Sequence, residues 1–389
     1  MRFFLLLFII STAVYAQPTG TRPPIEAETL VFPVQGEHVH GSSVVELPNG
    51  DLLAAWFQGS GERTSDDVRI MGARFKNGKW SAPFLMADTP YIPDCNPVLF
   101  LNHARELFLV WIAVQANRWE HSVLRVRTTT DYGGEGAPRW TWQDNILLKP
   151  DDTFATEIET QFRSLPSPGH GWAEYAPSYP QMITEAARDA GKRSFGWMTR
   201  IKPLLLPEGR IVLPLYSDGF NLSLMAVSDD DGRTWKPGLP LVGYGPIQPA
   251  LALKKDGTLA AYMRDSGDAP NRVHYSESKD QGQSWTASVK TGIPNTASVE
   301  VLTLKNGLWV FVGNDITRSR SRLSLYVSDD EGKTWKWKHL LEDREKGNYS
   351  YPALIQSADG RIHITYSYHP EHDKKTIKHV QLKPESLTR

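Results

Sequence analysis

Three octapeptides decide the fold: Ser228-Asp-Asp-Asp-Gly-Arg-Thr-Trp235, Ser278-Lys-Asp-Gln-Gly-Gln-Ser-Trp285 and Ser328-Asp-Asp-Glu-Gly-Lys-Thr-Trp335. Their first residues stand 50 residues apart, twice over. A fixed period of this size marks a repeated supersecondary unit that buries its apolar face only against its neighbours. The chemistry inside each octapeptide is local. The aspartate accepts hydrogen bonds from backbone N–H groups of a turn, the glycine takes a positive φ, and the tryptophan packs beneath the hairpin. These groups are structural staples, not catalysts.

Working outward, Thr129-Thr-Asp131-Tyr-Gly133 reads as a damaged fourth copy, with an insertion before Trp140, and Asn77-Gly78-Lys79-Trp80 as the remnant of a fifth. Between the copies, turn residues feed short apolar runs after Asn49-Gly50, Glu208-Gly209, Asp256-Gly257, Asn306-Gly307 and Asp359-Gly360. His103-Ala-Arg-Glu106 precedes a similar run without a glycine. Each is a hairpin signal. Six hairpins predict an all-β, six-bladed β-propeller, with room for a seventh blade in the irregular stretch 143–198. That stretch reads as an insertion over one face, with a helix across Pro180–Lys192 that has proline near its start and glycine near its end. Loops of this kind carry function, so it reads as a lid or subsite loop.

The chain has 389 residues and a formal charge of −1. No global field steers it to nucleic acid or to an anionic membrane, so an acidic ligand needs a local arginine cluster. Met1-Arg2, the apolar run Phe3–Ile10 and Val14-Tyr15-Ala16 read as a signal peptide over residues 1–16, with residues 17–389 as the mature propeller. The run is too short to span a bilayer. Cys95 is the single cysteine, which rules out an intrachain disulfide and a lipidated cysteine at the cleavage site. The expected location is secreted or periplasmic. No metal-ligand spacing, phosphate loop, dinucleotide fingerprint or Ser-His-Asp signature stands out, so no cofactor is expected. His363 and His369 flank the last strand without a ligand spacing. The sequence leaves the oligomeric state open.

The repeated octapeptides, the six hairpins and the segments Asn96-Pro97-Val-Leu-Phe100, Lys202-Pro203-Leu-Leu-Leu206 and Tyr351-Pro-Ala-Leu-Ile-Gln resemble the sialidase (neuraminidase) superfamily. The octapeptides are its Asp-boxes, and the nearest group is that of the bacterial and plant sialidase-like Asp-box proteins. The resemblance implies a glycan-acting enzyme with three arginines on a substrate carboxylate, a tyrosine nucleophile activated by a glutamate, and an aspartate acid/base. It assigns the nucleophile to Tyr351, with Tyr349 as a spare on the same face of an extended segment. Arg264 and Arg320 take two arginine places, with Arg322 close by. The alternative for each arginine is an ion pair with a nearby acid such as Asp265 or Asp315. Asp67 takes the acid/base place, with Asp66 as a turn partner. Arg63 and Arg69 add positive charge.

Two positions depart from that pattern. His40 stands where the first arginine belongs, with His38 on the same face, and Gln248 stands where the activating glutamate belongs. An amide cannot accept the phenol proton. Glu300 and Asp315 are the candidate substitutes. The first expectation is a sialidase-like exo-glycosidase removing a terminal acidic sugar. The second is a uronate-directed lyase, or a rhamnosidase at rhamnosyl-glucuronate ends. In the lyase, Arg264 and Arg320 neutralise the carboxylate while His40 and Tyr351 serve as base and acid. The third is a glycan-binding propeller without catalysis.

Overall fold

The computed structural model describes residues 20–166 and 178–388. The leader reading, over residues 1–16, lies outside the described residues, as does part of the insertion. Six antiparallel sheets follow one another around a ring. Blade 1 is built on His38–Glu46, Leu52–Gly59 and Arg69–Lys76, and blade 2 on Asp94–Leu101, Leu107–Val114 and Ser122–Thr129. Blade 3 contains Ile211–Ser217 and Leu222–Ser228, and blade 4 Pro246–Leu253, Leu259–Asp265 and Arg272–Ser278. Blade 5 runs through Glu300–Thr303, Trp309–Gly313 and Arg322–Ser328. Blade 6 uses Asn348–Gln356, Ile362–Glu371 and Lys374–Leu382, and its fourth strand is Ala27–Leu30 from the chain's beginning. That borrowed strand closes the ring by tying the chain's beginning to its last blade, so that blade 6 packs against blade 1. Among its described residues the stretch 143–198 adds no seventh blade; it contributes strand Trp142–Ile146 to blade 2 and then turns helical.

The blades are apolar on both faces because each is sandwiched by two neighbours. Strand Leu107–Val114 is buried at every position, as is Leu222–Ser228. Trp56, Trp111 and Trp309, on the second strands of blades 1, 2 and 5, are among the largest fully buried side chains.

The Asp-boxes do the local work expected of them. In the first, the Asp230 carboxylate accepts from Thr234 N–H at 2.8 Å and Thr234 Oγ1–H at 2.6 Å, Ser228 Oγ accepts from Gly232 N–H at 2.8 Å, and Trp235 Nε1–H donates to Gly232 O at 3.0 Å. The boxes also tie blades together. Asp231 accepts from His103 N–H at 2.9 Å and Ala104 N–H at 3.0 Å, the hairpin tip of blade 2. Glu331 accepts from Lys255 N–H at 2.7 Å, the tip of blade 4. The one tip without glycine pays a conformational penalty instead: Arg105 sits at φ +59°.

The insertion forms helices Thr153–Ser164, Tyr179–Arg188 and Ala190–Ser194. Pro180–Lys192, expected as one helix, breaks at Asp189, whose carboxylate caps the next turn by accepting from Gly191 and Lys192 N–H. The first of the three was not anticipated. It buries Phe154, Ile158 and Phe162 on one stripe. No helix among the described residues is long and apolar enough to cross a membrane.

Candidate active site

The innermost strands of four blades share one irregularity. Pairing slips between His40 and Ser43, Cys95 and Val98, Ile247 and Ala250, and Ser350 and Ala353. Each slip is a β-bulge holding one left-handed residue: Gly41, Asn96, Gln248 and Tyr351, at φ +63°, +51°, +56° and +57°. In three of the four a proline follows, which cannot donate to the ladder and belongs at such a break. A bulge re-aims a side chain. Here Gln248 and Tyr351 are aimed at one another across the ring: Gln248 Nε2 lies 3.4 Å from Tyr351 Oη.

Tyr351 is the hub. Arg264 Nη1 donates to its hydroxyl at 3.0 Å. The Arg320 guanidinium carbon stands 5.3 Å from its ring centroid, and that of Arg200 4.8 Å. The His40 ring packs against it with centroids 4.0 Å apart. Burial pushes the Tyr351 phenol up, but the charges of Arg264 and Arg320 more than offset this and hold it below its ordinary value. Burial, followed by the charges of Arg320 and His38, drives His40 well below the ordinary histidine range, so its ring is neutral. Its Nδ1 lies 2.8 Å from Ser367 Oγ, which seats it on blade 6.

These groups open into a cavity of about 530 Å³ whose walls include His38, His40, Glu62, Arg264, Arg320 and Tyr351. A second cavity of about 270 Å³ shares Glu62, Arg63, Arg264 and Tyr351 with it and continues past Gln248 to Asn221 and Ser266. Arg264 and Arg320 form no ion pair among the described residues: Asp265 takes Lys290 at 2.8 Å, and Asp315 takes Lys338. Two unpaired guanidinium groups converging on one hollow are unfavourable unless an anion completes them, and a carboxylate does so by charge-assisted hydrogen bonds.

Other expected residues stand elsewhere. Asp67 does not line either cavity; its carboxylate accepts from Ser60 N–H at 3.0 Å and Ser60 Oγ–H at 2.5 Å, which pins the 60–67 loop. Those bonds from Ser60 lower its pKa. Asp66 takes Asn117 at 2.6 Å. Arg69 lines neither cavity. Arg63 is at the rim, occupied by Asp218 at 2.8 Å and stacked on Trp119 at 4.0 Å. Arg322 is paired with Asp343. Tyr349 is fully buried against Tyr368, because the bulge at Tyr351 breaks the alternation that would have kept the two on one face. Glu300 is held by Lys202 at 2.8 Å and Asp315 by Tyr326 Oη at 2.7 Å, so neither replaces the missing glutamate.

Two residues at the site escaped sequence reasoning. Glu62 lies on the loop one turn before Asp67, within 3.2 Å of His38 Nε2. Arg200, 2 % exposed, reaches from blade 3 across the axis and donates to Ser42 O and Pro352 O, both at 3.1 Å. The one available signal for Arg200 was a charged residue inside the apolar run Gly196-Trp-Met-Thr-Arg-Ile201. Among the described residues, no group of three or more His, Cys, Asp or Glu is arranged to hold a metal ion.

Comparison with known proteins agrees with this fold. A leech anhydrosialidase (Macrobdella decora) is 25 % identical over 179 residues, 41 % of this chain and 23 % of that protein. A sialidase of Bacteroides fragilis is 25 % identical over 226 residues, 53 % of this chain and 39 % of that protein. The matches thus span well under half of either relative. Among solved structures, a protein of unknown function from Dyadobacter fermentans superposes with a TM-score of 0.67 at 15 % identity, covering 94 % of this chain and 99 % of that one. The NanB sialidase of Streptococcus pneumoniae superposes with a TM-score of 0.68 at 11 % identity, covering 94 % of this chain and 71 % of that one. At those identities the structures establish a common fold. The BNR repeat-like domain family matches residues 50–162 and 195–364, with a break that holds helices Tyr179–Arg188 and Ala190–Ser194, and this chain belongs to that family as a sialidase-like six-bladed propeller.

Proposed function

We propose that this protein is a glycoside hydrolase that removes a terminal acidic sugar from a glycan. The observation that supports it most directly is the convergence of Arg264 and Arg320, neither with an acidic partner among the described residues, on the hydroxyl and ring of Tyr351. In this reading the two guanidinium groups hold the sugar carboxylate. Tyr351 attacks the anomeric carbon, and Glu62 protonates the departing glycosidic oxygen. In the second half, Glu62 takes a proton from water and the water displaces the phenol. Gln248 cannot accept the phenol proton, so the ionised phenol is favoured by Arg264 and Arg320 instead of by a carboxylate base. Glu62 here replaces Asp67 in the acid/base role, because it lines the cavity and Asp67 does not. The test is incubation with aryl glycosides of nonulosonic and uronic acids. Release of the aryl group, abolished in Tyr351→Phe, supports the reading; no release from any of them sinks it.

A second reading rests on the neutral His40 ring against Tyr351. In a uronate, a base removes the C5 proton, the C4–O bond breaks, the leaving oxygen takes a proton, and a C4=C5 double bond forms. His40 and Tyr351 supply base and acid, and the arginines stabilise the charge at the carboxylate. An absorbing unsaturated product from uronate oligosaccharides, in place of a saturated sugar, selects this chemistry. For location, the leader-like residues 1–16 support action outside the cytoplasm; Edman sequencing of the mature protein, starting at Gln17, tests it.

A further inference from the structure

His40 stands in the place of an arginine, and its surroundings fix more than its position. On one side of the ring, Nδ1 lies 2.8 Å from Ser367 Oγ. On the other, Nε2 takes no hydrogen-bond partner among the described residues, yet it is not one of the polar atoms sealed inside the core. It therefore faces the cavity that His40 lines. Which nitrogen carries the proton decides what His40 offers a ligand, and the partner of the other nitrogen sets that choice.

A serine hydroxyl has one hydrogen to donate and two lone pairs. Ser367 lies on strand Ile362–Glu371 of blade 6 and is fully buried. Gly41 N–H donates to Ser367 Oγ at 3.1 Å and so occupies a lone pair. The bulge sets the direction of that N–H: Gly41 sits at φ +63°, and a Cβ there would come within 2.6 Å of the Phe57 ring. The hydroxyl hydrogen then has one acceptor among the described residues, His40 Nδ1. Were Nδ1 protonated, the serine would accept twice and bury its own hydrogen without an acceptor, at the full cost of desolvating it. A doubly protonated ring meets the same conflict, and burial and the Arg320 charge oppose it.

We propose that Ser367 locks His40 as the Nε2–H tautomer, so that His40 serves the acidic sugar as an uncharged hydrogen-bond donor in the place of an arginine. The guanidinium groups of Arg264 and Arg320 supply charge at the sugar carboxylate, and His40 supplies direction. Ser367 lines neither cavity and is a positioning residue that acts through the imidazole. A base needs a bare nitrogen toward the ligand, and here the bare nitrogen is turned to Ser367. The tautomer thus favours hydrolysis at Tyr351 over elimination through His40. Both His40 and Ser367 lie outside the residues that the BNR repeat-like family matches, 50–162 and 195–364.

The donor role rests on the proposed acidic-sugar site and the tautomer does not, so two measurements keep them apart. Long-range proton–nitrogen correlation spectra of the protein carrying isotope-labelled histidine show which nitrogen is protonated at neutral pH, with His40 assigned by its loss in His40→Gln. Nε2–H is expected in the unsubstituted protein, and a mixture of tautomers in Ser367→Ala. Nδ1–H in the unsubstituted protein overturns the lock, whether or not the variant folds. Titration calorimetry with glucuronic acid and N-acetylneuraminic acid reads the donor. His40→Gln keeps an N–H at the place of Nε2 without a basic nitrogen, and is expected to bind the preferred sugar within about threefold of the parent. His40→Phe keeps an aromatic ring and loses the donor, and affinity is expected to fall about tenfold or more, as for a lost hydrogen bond to a charged group. Unchanged affinity in His40→Phe overturns the donor role and leaves the central site standing. Binding of neither sugar to the parent overturns the acidic-sugar site and the donor role together, while the spectra still decide the lock.

Discussion

Arg200 lies under the face of Tyr351, its guanidinium carbon 4.8 Å from the ring centroid, and bridges Ser42 O of blade 1 to Pro352 O of blade 6 from its seat on blade 3. The same residue thus supports the hub of the site and locks opposite sides of the ring. Burial holds it below the ordinary arginine range, at about 10, still far above neutrality.

Arg200→Met leaves two buried carbonyls without their donor. With charge-assisted hydrogen bonds each worth about 1.5–3 kcal/mol, the expected loss is about 3 kcal/mol of stability. Urea unfolding reads it as a lower midpoint at unchanged slope. A midpoint equal to that of the unsubstituted protein refutes the bridging role.

Glu62 and Asp67 separate cleanly by kinetics. Glu62→Gln is expected to cut turnover on a glycan by about 100-fold or more, the usual worth of a positioned acid/base. Asp67→Asn changes the Ser60 contacts and leaves turnover within about threefold, an effect of under 1 kcal/mol. The reverse ranking restores Asp67 as the acid/base.

Acid stability is set partly by a stacked histidine pair at the ring closure. His363 Nδ1 and His379 Nε2 are 2.9 Å apart, and His379 is further enclosed by Phe75 and Trp80. Burial pulls His363 down to about 4 and His379 to about 3 from 6.5. Asp359 and Arg361 act on His363 in opposite directions. Folded, the pair stays neutral while the unfolded chain binds protons below about 6.5. Stability is therefore full above that value and falls as pH drops toward 4. Thermal melts from pH 7.5 to 4.5 are expected to show a declining midpoint, and His379→Leu to flatten the decline. A variant with the same pH slope as the parent disproves the assignment.

The inter-blade staple predicts a contrast between two aspartates of one Asp-box, Asp229 and Asp231. Asp231→Ala removes the acceptor for His103 and Ala104 N–H and is expected to cost about 1 kcal/mol, as a lost cap does. Asp229→Ala removes a pairing with Arg210 on a half-exposed carboxylate and is expected to cost less than about 0.5 kcal/mol. Similar losses for both contradict the staple.

By itself the sequence determined whatever closes within a few residues. An Asp-box completes its hydrogen bonds between Ser228 and Trp235, and a hairpin such as Asp256-Gly257 needs only its own turn, so both were legible and blade number followed. Helix Thr153–Ser164 was legible too, in the four-residue spacing of Phe154, Ile158 and Phe162, but went unread beside the prolines and glycines of its surroundings. The tertiary structure alone decided which side chains share the axis. Tyr351 turns toward Gln248, and Tyr349 away, because a bulge inverts the alternation of an otherwise extended strand. Glu62 reaches the cavity and Asp67 does not because Ser60 binds Asp67 and fixes the loop's path. Arg200 meets Pro352 across 152 residues of chain only after the ring has closed. Contacts of that kind depend on packing between blades, which no local pattern encodes.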